Sequence, residues 1–225
     1  DASGEEVDGA ETADDVDLAT LDQFSSLIGR SGHRLMDTLT GVLNLSKLQA
    51  GEMHLDLGPI DLTREVEEAA EEFGPQAEEA GICLEVEAGG GPVCARADEG
   101  ALQIVLRNLV SNAIKYTEEG GQVWVRTGQD EDAAMLEVED NGIGMDPSTV
   151  SHLFDAFKQA SEGVERKYEG TGLGLTVTKE ALDQMDGSIE VETEKGEGSR
   201  FVLRLPKAEQ NEAPPQLLSR AKEPA

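Results

Sequence analysis

Three short segments hold residue types that could do chemistry together. Asn108-Leu109-Val110-Ser111-Asn112-Ala113-Ile114-Lys115-Tyr116-Thr117 sets two amides four residues apart, on one face of a helix. Val138-Glu139-Asp140-Asn141-Gly142-Ile143-Gly144-Met145 puts a carboxylate after an apolar strand and before two glycines. Gly170-Thr171-Gly172-Leu173-Gly174-Leu175 leads into a further helix.

A buried Asn on an apolar helix costs free energy unless it finds partners. One such Asn is explained by a hydrogen bond to a neighbouring loop. Two, followed by Lys115, favour a ligand. An amide oxygen is a neutral hard donor suited to Mg²⁺, which keeps several waters and takes phosphate oxygens. Lys115 can meet a phosphate as a point charge. Asp-Asn-Gly alone is ordinary hairpin chemistry. The second glycine, Gly144, adds room for backbone to approach a ligand. A carboxylate repels phosphate and accepts from an amine, so Asp140 belongs at the base end of a nucleotide, reading the exocyclic amine of adenine. Free N–H groups at a helix N-terminus bind anions, which suits the Gly170–Leu175 loop to phosphates. Its glycines run G-x-G-x-G and no Gly-Lys-Ser/Thr follows, so neither a P-loop nor a Rossmann fingerprint is present.

The 225 residues carry 47 Asp and Glu against 18 Lys and Arg, a formal charge of -29. That disfavours nucleic acid and anionic lipid as partners. It suits a chain kept soluble in high salt, and a halophilic protein is expected. An anionic nucleotide would bind against this field, with Mg²⁺, backbone N–H groups, Lys115, Lys158, Arg166 and Lys167 acting locally. Cys83 and Cys94 read as two buried free thiols. No apolar run is long enough to cross a membrane, and nothing at Asp1 resembles a signal peptide. The chain does not begin with Met. The expectation is a cytoplasmic piece of something longer, open to being part of a membrane-bound sensor.

Residues 1–17 are acidic and poor in apolar side chains, and read as a disordered segment. Over 18–51, Leu21, Ile28, Leu35 and Val42 recur every seven positions, a long amphipathic helix that needs a bundle partner. Residues 52–206 mix α and β. Met53–Leu57 reads as a strand, and Asp61 caps a helix to about Ala80 that Gly74-Pro75 can kink. Strands follow at Ile82–Val86 and Val93–Ala97. Asp98 caps the helix that carries the two asparagines. Gln122–Thr127 with Ala134–Val138, and Ser188–Thr193 with Ser199–Leu205, read as hairpins. The expected fold is a two-layer α/β (α+β) sandwich with helices on one sheet face. Residues 207–225 read as a tail.

In order and spacing, the motifs resemble those of sensor histidine kinases of two-component systems. Asn108–Thr117 resembles the N box, Asp140–Met145 the first glycine box and Phe154-Asp155-Ala156-Phe157-Lys158-Gln159 the F box. Gly170–Leu175 resembles the second glycine box and Gly198-Ser199-Arg200-Phe201 the last glycine motif. The match covers about residues 18–206. The resemblance implies a Bergerat-type (GHKL) ATPase fold, with Asn112 holding Mg²⁺, Asp140 holding adenine, and Asn108 orienting the metal's shell or the phosphates. Asn108 and Lys115 are then the catalytic residues. Lys115, Tyr116, Gly142, Ile143, Gly144, Met145, Lys158, Arg166, Lys167, Gly170, Thr171, Gly172, Leu173, Gly174 and Leu175 complete the ATP site. Residues 146–170 become a lid anchored by Phe154 and Phe157, in which Glu169 departs from a Gly often found there.

Residues 18–51 resemble the second dimerisation helix. The phosphoacceptor pattern is a His followed by an acid, Arg and Pro. His33, His54 and His152 do not carry it. The implied activity is transfer of the ATP γ-phosphoryl to a His outside this chain, for relay to a response-regulator Asp, with a homodimer once the missing helix is supplied. The alternatives are a nucleotide-binding regulatory module without transfer, or a Ser kinase or ATPase of the same fold.

Overall fold

The computed structural model describes residues 18–51, 53–88, 91–158 and 171–208. The expected disordered segment 1–17 lies outside them.

Helix α1 spans Leu18–Gln49. Its C-terminal part packs on the rest of the chain, where Leu48 is buried. Leu21, Phe24, Ile28, Leu35, Leu39 and Val42 stay exposed, so the apolar stripe read from the sequence is there without a cover among the described residues. Strand β1 (Gly58–Asp61) pairs antiparallel with β3 (Cys94–Ala97) in a two-stranded sheet. The main sheet has five strands: β2 (Cys83–Ala88), β4 (Gln122–Gln129), β5 (Ala133–Asp140), β6 (Ser188–Glu194) and β7 (Gly198–Pro206). Their order is β2-β4-β5-β7-β6. Only β2–β4 is parallel; the two expected hairpins, β4–β5 and β6–β7, are antiparallel neighbours.

Helices α2 (Leu62–Glu79), α3 (Glu99–Tyr116) and α4 (Gly174–Gln184) bury their apolar stripes with the sheet's inner residues in one core, around Leu102, Leu106, Leu109, Leu136, Leu182 and Leu203. Asp61 and Asp98 cap α2 and α3 as expected, accepting from Thr63 N and Ala101 N. These caps satisfy N–H groups that a helix start leaves open.

Four expectations need correction. Residues 53–57 form no strand. Asp56 N donates to the Asp98 carboxylate at 2.8 Å, so the segment is pinned to the cap of α3 instead of to a ladder. Met53, Leu55 and Leu57 still pack on the core, which explains their alternation. Pro75 does not interrupt α2, which runs through it to Glu79 and buries Ala77 beyond it. Cys83 is exposed rather than buried, since it starts β2 on the sheet's outer face, and Cys94 is half-buried. Lys207 and Ala208, expected to open the tail, continue alongside β3: Ala208 N donates to Cys94 O at 3.2 Å.

The outer face of the sheet is tied by charge. Arg126 bonds Glu87, Glu137 and Glu139, and Arg200 bonds Glu137 and Glu192, a row of opposite charges crossing all five strands. Burial alone would raise the Glu137 carboxyl, but Arg200 and Arg126 together hold it below the usual range. Over the whole sequence 47 acids face 18 bases, so like-charge repulsion outweighs attraction at low salt. Stability should therefore rise as KCl goes from about 0.1 M to about 1 M, where the screening length falls from about 10 to about 3 Å. A melting temperature that stays flat or drops in KCl would remove the halophile reading.

Glu65 is 6 % exposed between α2 and α3. Burial, then the neighbouring Glu99 and Glu68, raise its carboxyl, against a hydrogen bond with Gln103. A raised carboxyl destabilises the folded state once pH exceeds its folded pKa. Glu65→Gln should thus stabilise the chain by on the order of 1 kcal/mol at neutral pH, with a smaller gain in acid. Urea titrations at both pH values check this; an equal gain at both would show that charge is not the cause.

Candidate functional site

The site is assembled where the C-terminus of α3, the end of β5 and the start of α4 converge. Asp140 closes β5 on the sheet's inner face and is 6 % exposed. Its carboxylate accepts from Gly142 N at 3.0 Å and from the backbone N–H of Ser199. Burial nevertheless wins, and pushes the carboxyl up to about 6. A buried acid with two N–H donors among the described residues has acceptor capacity left for a further donor, such as an amine.

The loop after Asp140 is held from both sides. Ile143 N donates to Tyr116 O at the end of α3 (3.0 Å), and Ile143 O accepts from Gly196 N in the β6–β7 turn (2.8 Å). The glycines are required by close approach. A Cβ on Gly142 would lie 2.3 Å from Tyr116 O, and one on Gly144, where φ is +56°, would lie 1.9 Å from Glu194 O. Met145 N donates to Thr193 Oγ1 at 2.9 Å, and the Met145 side chain packs on the core. An open hollow of about 320 Å³ at this end of the sheet is bordered by Asp140, Thr193 and Ser199 and, from the outer-face charge row, by Glu139, Glu192 and Arg200.

The two asparagines differ in employment. Asn108 Nδ2 donates to Gly174 O at 3.1 Å and to Thr178 Oγ1 at 3.5 Å, so this amide clasps α3 to α4. That matches the hydrogen bond to a neighbouring segment which explains a single Asn. Asn112 is half-buried, and its amide makes no hydrogen bond among the described residues. Lys115 lies over the Tyr116 ring, 4.9 Å from its centroid, and burial raises the Tyr116 phenol.

In the second glycine segment, Thr171 Oγ1 accepts from Leu173 N at 3.3 Å. Gly172, at φ +69°, lies under the Phe157–Lys158 backbone, and its carbonyl accepts from Phe157 N at 3.0 Å. Leu173 is fully buried, so its side chain serves the core and only its backbone faces a ligand role. Leu175 packs on the core as well. Unlike α2 and α3, α4 has no side-chain cap. Leu173 N is taken by Thr171, so the N–H groups left for an anion are those of the first turn of α4 from Gly174 on. Lys158 Nζ is engaged by Asp155 at 2.7 Å, beside His152. Arg166, Lys167, Glu169 and Gly170 lie outside the described residues.

Helix α1 reaches this loop directly. A Cβ on Gly41 would stand 3.2 Å from the Leu173 side chain, and Gln184 Nε2 of α4 donates to Leu48 O at 2.8 Å.

Thr178 and Thr193 went unrecognised in the sequence, and Ser199 was read only as part of the last glycine motif. Thr178 is wholly buried against Asn108. Thr193 follows Ile189 and Val191 at the inward positions of β6. A polar residue at the end of that alternation is the signal that could have found it.

Residues 97–209, half the chain, match the family of histidine kinase-, DNA gyrase B- and HSP90-like ATPases. The chain belongs to this family, and its mixed sheet with helices is the Bergerat fold. Among its relatives, the circadian input-output histidine kinase CikA of Synechococcus elongatus is 33% identical over 186 residues, 82% of this chain and 25% of that protein. The sensor protein GacS of Pseudomonas syringae is 35% identical over 198 residues, 84% of this chain and 22% of that protein. This chain therefore spans about a quarter of those relatives. Full-length ShkA in complex with AMPPNP superposes with a TM-score of 0.71 at 29% identity, over 83% of this chain and 39% of that one. Among the described residues no helix is long and apolar enough to cross a membrane.

Proposed function

We propose that residues 52–206 bind Mg-ATP and deliver its γ-phosphoryl to a His on a helix outside these 225 residues. Residues 18–51 would serve as a dimerisation helix. The observation that carries this is Asp140: a buried carboxylate, pushed up to about 6, behind a glycine loop in a family of ATPases. Adenine's amine gives Asp140 the donor it lacks. The uncapped start of α4 and the cations Lys115, Arg166 and Lys167 would meet the phosphates.

Mg²⁺ fits the residues present. Asn112 offers a half-buried amide with no hydrogen bond among the described residues, one helical turn beyond Asn108, which contacts the start of α4. Among the described residues no group of three His, Cys, Asp or Glu side chains could hold a metal by itself. A cation held by Asn112 would keep water and phosphate oxygens as its other ligands. When bound, it would neutralise charge on the transferring phosphoryl group. Phosphoryl transfer asks the protein mainly for positioning and charge compensation. The Asn108 clasp contributes positioning, because it fixes α3 against the start of α4.

None of His33, His54 and His152 carries the acid-Arg-Pro pattern of a phosphoacceptor. The acceptor in this proposal is thus an imidazole of a helical hairpin, in the same or a second protomer, and the next acceptor an Asp of a receiver domain. The histidine kinase ThkA, solved in complex with response regulator protein TrrA, has the same fold (TM-score 0.70, 23% identity, 85% of this chain and 53% of that one). Incubation with γ-labelled ATP and a supplied His-containing hairpin tests the reading. Acid-labile label on the hairpin is the expected result. Nucleotide binding with no transfer to any hairpin would instead indicate a regulatory nucleotide-binding module.

A further inference from the structure

The strand register sets Asp140, Ser199 and Thr193 side by side on the inner face of β5, β7 and β6. They form a polar row at one end of a largely apolar face. Thr193 is its hub. Its Oγ1 accepts from Met145 N at 2.9 Å, donates to Gly198 O at 3.0 Å and lies 3.0 Å from Ser199 Oγ.

A hydroxyl has one proton. A carbonyl only accepts, so the Thr193 proton belongs to Gly198 O. In the pair with Ser199, the donor must then be Ser199. Ser199 Oγ is left with acceptor lone pairs alone, on the residue that stands opposite Asp140 and whose backbone N–H donates to the Asp140 carboxylate.

We propose that Thr193 is a specificity-determining positioning residue: by taking the Ser199 proton it keeps the Asp140 end of the site a pure acceptor surface, which selects a base bearing an exocyclic amine over one bearing a carbonyl there. This rests on the nucleotide reading above. Two acceptors side by side attract an amine. They repel the carbonyl oxygen that guanine carries at the same ring position. The same hydroxyl also anchors Met145, so the loop that frames Asp140 and the strand that frames Ser199 are set by one group.

The test is titration of the full chain with Mg-ATP and Mg-GTP, comparing the parent with Thr193→Val, Thr193→Ala and Thr193→Ser. In the Val and Ala variants Ser199 loses its acceptor and turns its proton toward the base. The ATP-over-GTP ratio should narrow about tenfold, the worth of one hydrogen bond changing sign of preference. Thr193→Ser should keep the parent's ratio. Ser199→Ala should make the ratio insensitive to Thr193→Ala. Equal weakening of both nucleotides, or an unchanged ratio in a variant that keeps a cooperative melt, would overturn the inference and leave Thr193 a structural residue. A parent chain that binds neither nucleotide would overturn the pocket reading itself, and this inference with it.

Discussion

Asp140→Asn should yield a domain that is more stable when empty and nearly unable to hold ATP. The parent carboxyl stands at about 6 in the folded chain, about 2 units above its ordinary value. Below about pH 4 the group is protonated in both folded and unfolded chains, and it costs nothing. Between about pH 4 and 6 the folded chain keeps a proton that the unfolded chain has lost, so stability falls as pH rises. Above the folded pKa the whole cost is present, at most about 3 kcal/mol. Asn removes this dependence while its oxygen can still accept from Gly142 N. It cannot serve Ser199 N–H equally well, so the gain at pH 7.5 should be about 1–3 kcal/mol. Binding moves the opposite way. A charge-assisted bond to adenine's amine is worth about 1.5–3 kcal/mol, so affinity should drop about 10- to 100-fold. Melting curves from pH 4 to 8 and ATP titration check both halves. A variant that binds ATP like the parent would defeat the adenine assignment. One whose stability tracks pH as the parent's does would defeat the burial argument.

Gly144→Ala should damage fold and site together. At φ +56° a non-glycine residue costs about 1–2 kcal/mol. The added Cβ would also sit 1.9 Å from Glu194 O and 2.8 Å from Gly198 O, both of them backbone atoms. The loop must therefore leave the β6–β7 turn and give up the Gly196 N to Ile143 O bond. A loss of about 3–5 kcal/mol is expected, lowering the melting temperature by on the order of 10 °C. Gly196→Ala is the control. Its φ is +88°, yet no atom lies within 4 Å of the added carbon, so it should cost only the backbone term. If the two variants melt together, the interlock between loop and turn contributes nothing.

Much of this was legible in the sequence because it depends on local chemistry. Asp61 and Asp98 announced helix starts through their capping carboxylates, and both cap. The alternation of β4, β5 and β7 fixed which face is buried, and Asp140 fell on it. The pieces that escaped depend on partners distant in the chain. Met53–Leu57 alternates like a strand, but Asp56 is captured by the cap of α3. Asn108 and Asn112 look equivalent at helical spacing. Only the position of α4 decides that Asn108 is engaged by Gly174 while Asn112 is not. Thr193 became visible only when the register put it beside Ser199.

The contact between Gly41 and Leu173 has a consequence for how this sequence can change. One position lies on a helix that exposes its own apolar stripe, the other in the loop read as receiving phosphate. At 3.2 Å a side chain at 41 would press on Leu173, which must yield by a few tenths of an ångström or be replaced by a smaller residue. Two segments 132 positions apart are thus coupled in packing, and a helix swapped in with a larger residue at 41 would press on a loop not fitted to it.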